Sequence, residues 1–410
     1  MRRFAFGGGN GLGTVFKLTP PATAGGAWTK SVLYSFTGMD GANPEGSLIF
    51  DASGALYGTT YSGGAWNEGT VFQLTPAATP GGAWTERVLY SFMVGTDGQP
   101  WESLTLDRSG ALYGVTRAPS TVFQLTPPAT PGGAWVKTVL HSFPDSLFDY
   151  HSGQYPNGSL IFDKSGAIYG TTKAGGDNNV GTVFQLTPPA TPGSAWTESV
   201  LHSFSQTEGF FPTAGLVFDR CARSLDDGAE KRRCDLRPEA PERGFGHRES
   251  RALYGTTRGY GYGGGTVFKL TPPATAGGAW TESVLHTFTG PNAANPFSGV
   301  TFDATGALYG TTVWAQLGGA CTINFKFGCG TVFKLTPPAT ADGAWTKTDL
   351  HIFTPDEGAF GEGPFPSALV VGRSGALYGT ILGGPNGYSG AAFKLTIGSA
   401  FAGTPAVAPK

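Results

Sequence analysis

The stretch GALYGTT at residues 54–60 decides the fold, because the chain repeats it. GALYGVT follows at 110–116, GAIYGTT at 166–172, RALYGTT at 251–257, GALYGTT at 306–312 and GALYGTI at 375–381. Each copy belongs to a longer unit. In the first, the phrase leads through a Gly-rich connection to GTVFQLTP (69–76), then through a Pro/Gly/Ala stretch to TERVLYSF (85–92). Successive Thr-Val-Phe starts fall at Thr14, Thr70, Thr121, Thr182, Thr266 and Thr331, with a degenerate copy at Ala391. Self-similarity at 51–65 residues, with one interval of 84, marks a tandem-repeat protein.

Each unit holds four short runs rich in β-branched and aromatic residues, bounded by Gly, Pro, Asp and Ser, as strands are. Run A is like Leu48–Phe50, run B like Leu56–Thr60, run C like Thr14–Leu18 and run D like Val32–Phe36. Runs A and D are apolar at nearly every position, which suits a sheet covered on both faces. DASG (51–54) reads as a tight A-to-B hairpin, with Asp opening it and Gly free to take positive φ. The chain begins with C and D, runs five full sets and ends with A, B and C. That inventory predicts an all-β fold, a six-bladed β-propeller of four-stranded antiparallel blades. Closure is expected by the N-terminal D run joining the C-terminal A and B runs. Seven blades, one incomplete, is the alternative. Residues 1–398 are read as one propeller and the Ala/Pro-rich 399–410 as a tail.

The ordered set YGTT, GG, GTVFKLTP, W, LYSF, DG, P and D-x-SG resembles the GloVer tandem-repeat family, named for cyanobacterial and verrucomicrobial members, over nearly the whole chain. The order of Pro, Gly, Asp and Gly-x-Leu-Tyr also resembles NHL-type propellers, which places run A innermost. The resemblance implies an extracellular or surface-displayed bacterial propeller. MRRFAFGGGN has two arginines without an apolar stretch after them, so no leader is visible, and no anchor is visible in the tail.

Gly (65) and Pro (30) exclude long helices, while 29 Phe, 14 Tyr and 9 Trp supply a core. A net charge of −2 gives no field drawing nucleic acid, and no apolar run is long enough to insert in a membrane. Cys321 and Cys329 flank a short B-to-C connection and are expected to form an intrachain disulfide; no metal and no cofactor are expected. Residues 220–251 differ in kind, with 16 charges in 32 residues interrupting the A-to-B turn after Asp219. They read as an insertion or as out-of-frame translation, with a disordered interaction loop as the functional alternative.

His141, His202, His286 and His351 occupy the place of Tyr34 and Tyr90 in run D, one per repeat, roughly 14 Å outside run A by strand spacing, so they do not converge. Asp51, Asp107, Asp163, Asp219 and Asp303 likewise open one hairpin each, and the sixth copy has Gly372. GYGYGG (259–264) has no helix after it, which removes the dinucleotide reading.

Six Trp precede run D at repeat positions. Removing these and the repeated Tyr leaves Trp66, Trp101, Trp314, Tyr61, Tyr150, Tyr155, Tyr260, Tyr262 and Tyr388. All fall in B-to-C or D-to-A connections, whereas the C-to-D connections are nearly identical and carry no unrepeated aromatic. Variable loops on a rigid scaffold are where binding concentrates. Trp66, Trp101, Trp314, Tyr61, Tyr155, Tyr260, Tyr262 and Tyr388 are therefore the candidate ligand-binding residues. The ligand expected is a carbohydrate or a protein, bound by a monomer without catalysis. The alternative is a glycoside hydrolase or lyase using the loop acids Asp40, Asp97, Asp145, Asp149, Glu208, Asp356 and Glu362.

Overall fold

Every repeat folds into one antiparallel sheet, and the order of strands within each sheet follows the order A, B, C, D along the chain. The computed structural model describes residues 9–23, 26–79, 81–130, 132–144, 153–191, 193–219, 221–224, 231–234, 252–259, 264–275, 277–289, 294–314, 330–340, 343–353, 369–372, 375–381, 391–397 and 406–407. The fold class is all-β, a six-bladed β-propeller with four-stranded blades. The chain divides into two compact units, Met1–Ser203 with Ala408–Lys410, and Phe204–Val407.

The first unit holds three full sheets. Their B strands are Leu56–Ser62, Leu112–Arg117 and Ile168–Gly175. It also holds a two-stranded sheet, Thr14–Thr19 with Thr29–Ser35, whose Val15 and Phe36 share a core with Leu56, Phe72 and Leu74 of the first full sheet. The second unit holds the other three, with B strands Leu253–Arg258, Leu308–Trp314 and Leu377–Ile381. The N-terminal D strand pairs with its own C strand, and the sixth sheet instead takes its fourth strand from Ala406–Val407 in the Ala/Pro-rich tail. The closure expected from strand counting is therefore not the pairing adopted.

The repeated phrase can be read letter by letter in the first sheet. Gly54, at φ 86°, sits in the left-handed region that the A-to-B turn needs, and nothing crowds it. Asp51 opens that turn, its Oδ1 accepting from the Ser53 and Ala55 amides at 2.8 and 3.0 Å. Tyr57 donates its hydroxyl to Asp51 Oδ2 at 3.0 Å, and Gln73 Nε2 donates to the same hydroxyl at 2.7 Å. Burial works against the Asp51 charge, but these hydrogen bonds outweigh it and hold the carboxyl below its ordinary range. Burial and then Asp51 push the Tyr57 phenol up to about 12. Leu56 enters the core. Thr59 Oγ1 donates to Glu102 O of the following sheet at 3.1 Å. Thr60 and Thr70 share a buried hydroxyl pair at 2.9 Å.

The Asp–Tyr clasp recurs at Asp107–Tyr113, Asp163–Tyr169 and Asp303–Tyr309. The 220–251 segment enters at the tip of the fourth copy. There the hairpin still closes through Asp219 N to Ala252 O at 2.9 Å, while Tyr254 reaches Asp219 only at 3.5 Å. Within the segment, Cys221–Ser224 pairs with Lys231–Cys234 in a two-stranded sheet separate from the blades. The buried Thr pair recurs in the first five full sheets. In the sixth, Ile381 faces Ala391, so both hydroxyls are replaced together. Replacing both partners by apolar groups leaves no orphaned donor, which makes the exchange nearly neutral where a single loss would cost about 1–3 kcal/mol.

Gly58 is the letter at which any side chain would overpack the core. A Cβ there would lie 2.7 Å from Phe72 Cζ and 2.8 Å from Leu48 Cδ2. The same contact recurs at Gly114–Phe123, Gly170–Phe184, Gly255–Phe268, Gly310–Phe333 and Gly379–Phe393, all at 2.5–2.7 Å. Each of these Phe rings takes, edge-on, the Phe that ends a preceding D strand. In the first unit these are Phe36–Phe72, Phe92–Phe123 and Phe143–Phe184, with centroids 5.0, 5.4 and 5.1 Å apart. In the second they are Phe204–Phe268, Phe288–Phe333 and Phe353–Phe393 at 5.0, 5.2 and 5.2 Å. Edge-to-face pairs of this kind add about 0.5–1.5 kcal/mol each beyond the area they bury.

Run D does not pack on both faces as its composition suggested. A bulge in the C–D ladder of the N-terminal pair and of the first five full sheets leaves one leucine unopposed, Leu89 between Tyr90 and Val88 in the first full sheet. Leu89, Leu140 and Leu350 turn inward, while Val32, Val139, Val200 and Val284 are exposed.

Gly170→Ala is expected to lower stability by about 1–3 kcal/mol through overpacking. Combined with Phe184→Leu, it should cost less than the sum of the two single changes, measured by chemical denaturation of all three variants. Additive losses would mean that the glycine is required for some other reason.

Candidate functional site

The B-to-C turn and the start of the D-to-A connection lie at the same end of each sheet, because the strands are antiparallel. The D-to-A connection is more ordered than its loop-like sequence suggests. Its last residues pair with the end of strand B. In the first sheet Ala42 and Pro44 face Ser62 and Thr60. In the second, Pro100 faces Thr116, and Arg117 N donates to Gln99 O at 3.0 Å. In the third, Gln154 and Pro156 face Ala174 and Thr172.

The turn into this pairing uses the residue before proline, which takes a left-handed backbone at Asn43, Tyr155, Phe211 and Asn295 with φ of 51–56°. Asn tolerates this conformation and Tyr or Phe does so at a cost. Tyr155 therefore occupies a repeat position, equivalent to Asn43, although its chemistry placed it among the unrepeated aromatics. It remains on the surface, 37% exposed.

Among the other candidates, Tyr61 and Trp101 meet. Their rings are 5.5 Å apart and nearly perpendicular, at 77°. The Arg117 guanidinium lies 4.6 Å from the Trp101 ring centre, so the indole is held between Tyr61 of the first sheet and Arg117 of the second. Trp66, in the first B-to-C connection, is 53% exposed. Trp314 ends its B strand opposite Ala294. Tyr260, Tyr262 and Tyr388, with the Cys321–Cys329 pair, lie outside the described residues.

Arg117 is the residue that sequence reading missed. It directly follows the repeated phrase, a position taken by Tyr61, Arg117, Lys173, Arg258 and Val313 in successive copies. That variation beside a closely repeated phrase is a legible signal, hidden when only aromatic and acidic residues are sorted by whether they repeat. Arg258 makes a second such stack in the other unit, 4.6 Å from the Phe297 ring centre.

The loop acids within the described residues are committed to their own connections. Asp40 accepts from the Thr37 and Gly38 amides and from Tyr34. Asp97 accepts from Tyr90, from the Met93 amide and from Lys137 Nζ at 2.7 Å. Glu208 Oε2 accepts from the Ser205 amide and hydroxyl. Asp145, Asp149, Asp356 and Glu362 lie outside the described residues.

One pair has the electrostatic pattern of an acid and its partner. Burial and then the Asp40 charge push Glu86 up to about 7, while Asp40 itself is lowered: burial opposes its charge, and hydrogen bonds led by that from Tyr34 outweigh it. Glu282, facing Glu208, is pushed up to about 7 by burial and then by that charge. Two observations give this a structural origin. Glu86 Oε1 and Glu282 Oε1 are buried and accept no hydrogen bond, as groups packed between strands do. In the second sheet the same D-strand position holds Lys137, whose ammonium neutralises Asp97, and in the third it holds Glu198, 3.4 Å from His141. A position filled by Glu or Lys in turn is a joint between sheets, with no fixed catalytic group. Among the described residues no His, Cys, Asp and Glu cluster could hold a metal ion. Nor is any helix there long and apolar enough to cross a membrane.

Residues 4–146 match the model of the Gloeobacter/Verrucomicrobia repeat, the family to which the motifs point. No curated protein matches the chain. Similar solved structures include a putative oxidoreductase (glucose dehydrogenase) from Thermus thermophilus, with 16% identity and a TM-score of 0.41 over 89% of this chain and 96% of that one. They also include an inulosucrase from Halalkalicoccus jeotgali bound to kestose, with 10% identity and a TM-score of 0.36 over 72% and 84%. Likeness at this level carries no argument about activity.

The raised carboxyls have a signed consequence. Glu86 and Glu282 bind protons more tightly folded than unfolded, so their contribution to stability is complete below about pH 4.5 and is lost as pH rises through about 7. Glu86→Gln is expected to flatten the fall in stability between those pH values, read from denaturation midpoints at matched ionic strength. An unchanged slope would place the raised carboxyl elsewhere.

Proposed function

We propose that the protein is a non-catalytic, secreted or surface-displayed repeat propeller that binds carbohydrate through the end of the sheets carrying the B-to-C and D-to-A connections. The observation that carries this reading is Trp101, wedged between Tyr61 and Arg117 on ordered backbone, with Trp66 exposed in the first B-to-C connection. Aromatic rings with fixed orientation offer flat apolar area at low entropic cost, which suits sugar rings. Support for the extracellular setting comes from the family resemblance alone. The hydrolase alternative would draw on the Asp40–Glu86 pair, and the burial of Glu86 Oε1 weighs against it.

A glycan array followed by titration of the best ligand tests the reading. Trp101→Ala is expected to weaken binding by about tenfold, equivalent to about 1.4 kcal/mol, with an unchanged unfolding midpoint. Equal affinity for Trp101→Ala and the parent protein would overturn it. Turnover of the same glycans, lost in Glu86→Gln, would establish the hydrolase in its place.

A further inference from the structure

We infer that the glycan bound at this end is anionic, carrying carboxylate or sulfate groups, and that Arg117 is its anchor. The inference rests on the carbohydrate reading above and narrows it to a chemical class.

Arg117 lies over one face of the Trp101 ring at 4.6 Å and Tyr61 abuts the half-buried indole, so a sugar that meets Trp101 also meets the guanidinium. What the cluster offers outward is the guanidinium itself. Arg117 is exposed, and among the described residues its guanidinium makes no hydrogen bond or ion pair beside its stack on Trp101. Stacking fixes the guanidinium plane while leaving the N–H edge unspent. That is the arrangement in which Arg takes a carboxylate or sulfate through two parallel hydrogen bonds.

Two loop acids of this unit are already committed: Asp97 is neutralised by Lys137, and Asp40 is capped by its own loop and Tyr34. One repeat further on, in the same unit, Lys173 stands at the position equivalent to Arg117. Two successive B strands therefore carry a cation directly after the repeated phrase. The chain as a whole has a net charge of −2, so general attraction to polyanions is not what the composition provides.

The test uses the full chain and two matched pairs, polygalacturonate against its methyl ester, and dextran sulfate against dextran. Each pair shares a sugar backbone and differs in charge. The parent protein should bind one charged member about tenfold or more tightly than its neutral partner. The pair that shows the difference identifies carboxylate or sulfate as the group recognised. Arg117→Gln should abolish the preference, and Arg117→Lys should keep part of it. Arg108→Gln, in an A-to-B turn at the other end of the same sheet, should leave it intact. Equal affinity within both pairs, a preference that survives Arg117→Gln, or equal sensitivity to Arg108→Gln would each overturn the inference. If Trp101→Ala weakens all binding while Arg117→Gln leaves the preference unchanged, the inference fails and the carbohydrate reading stands. Binding to none of the four polymers would overturn both.

Discussion

The architecture depends on a missing side chain. In each full repeat the glycine of the Tyr-Gly step lies under the phenylalanine of the next strand, and a methyl group there would overlap the ring. The ring so seated receives the edge of another phenylalanine from a preceding D strand. One short contact inside a sheet thus sets the surface on which the neighbouring repeat docks. The other recurrent features can vary around it. Gly372 replaces the turn aspartate in the sixth repeat, where the Tyr378 ring lies against the space a side chain would fill. Ile381 and Ala391 replace the hydroxyl pair in the same sheet. The Gly–Phe contact is kept in all six.

A scaffold fixed this way leaves one end of each sheet free to differ. The residue after the phrase differs from copy to copy, and it runs from Tyr61 to Arg117 to Lys173 within one unit. Backbone pairing between the D-to-A connection and the end of strand B keeps these positions ordered. A residue held on a strand end by main-chain hydrogen bonds needs less ordering on binding than one on a free loop. The D-strand joints show the complementary case. There Glu, Lys, Tyr and His interchange under burial, and the pKa displacements that result reflect packing between repeats.

Much of this was legible in the chain itself. GALYGTT and its copies identify strand B, the hairpin before it and the all-β class, because Gly, Asp and β-branched residues at fixed intervals leave few alternatives. Removing what repeats singles out Tyr61 and Trp101, whose rings meet in the structure. The misses have physical causes. Tyr155 looked unrepeated because its equivalents are Asn43, Phe211 and Asn295, which share a backbone conformation and no chemistry. Run D looked buried on both faces because a bulge, invisible as a pattern, turns Leu89 inward and leaves its valine neighbours in other copies outside. Arg117 was passed over because an exposed arginine is ordinary until its partner, Trp101, is placed beneath it. The pairing of Ala406–Val407 with the sixth sheet could not be read from two small residues in an Ala/Pro-rich stretch.

The central claim is that the repeats are scaffold and that recognition belongs to the unrepeated end of the sheets. Hydrogen–deuterium exchange of the full chain, with and without saturating acidic glycan, measures this directly. The account predicts new protection confined to residues 61–69, 97–101 and 115–119, with the C-to-D connections around Pro127 and Pro128 unchanged. Protection centred on those C-to-D connections, with none at Trp101 and Arg117, would contradict it.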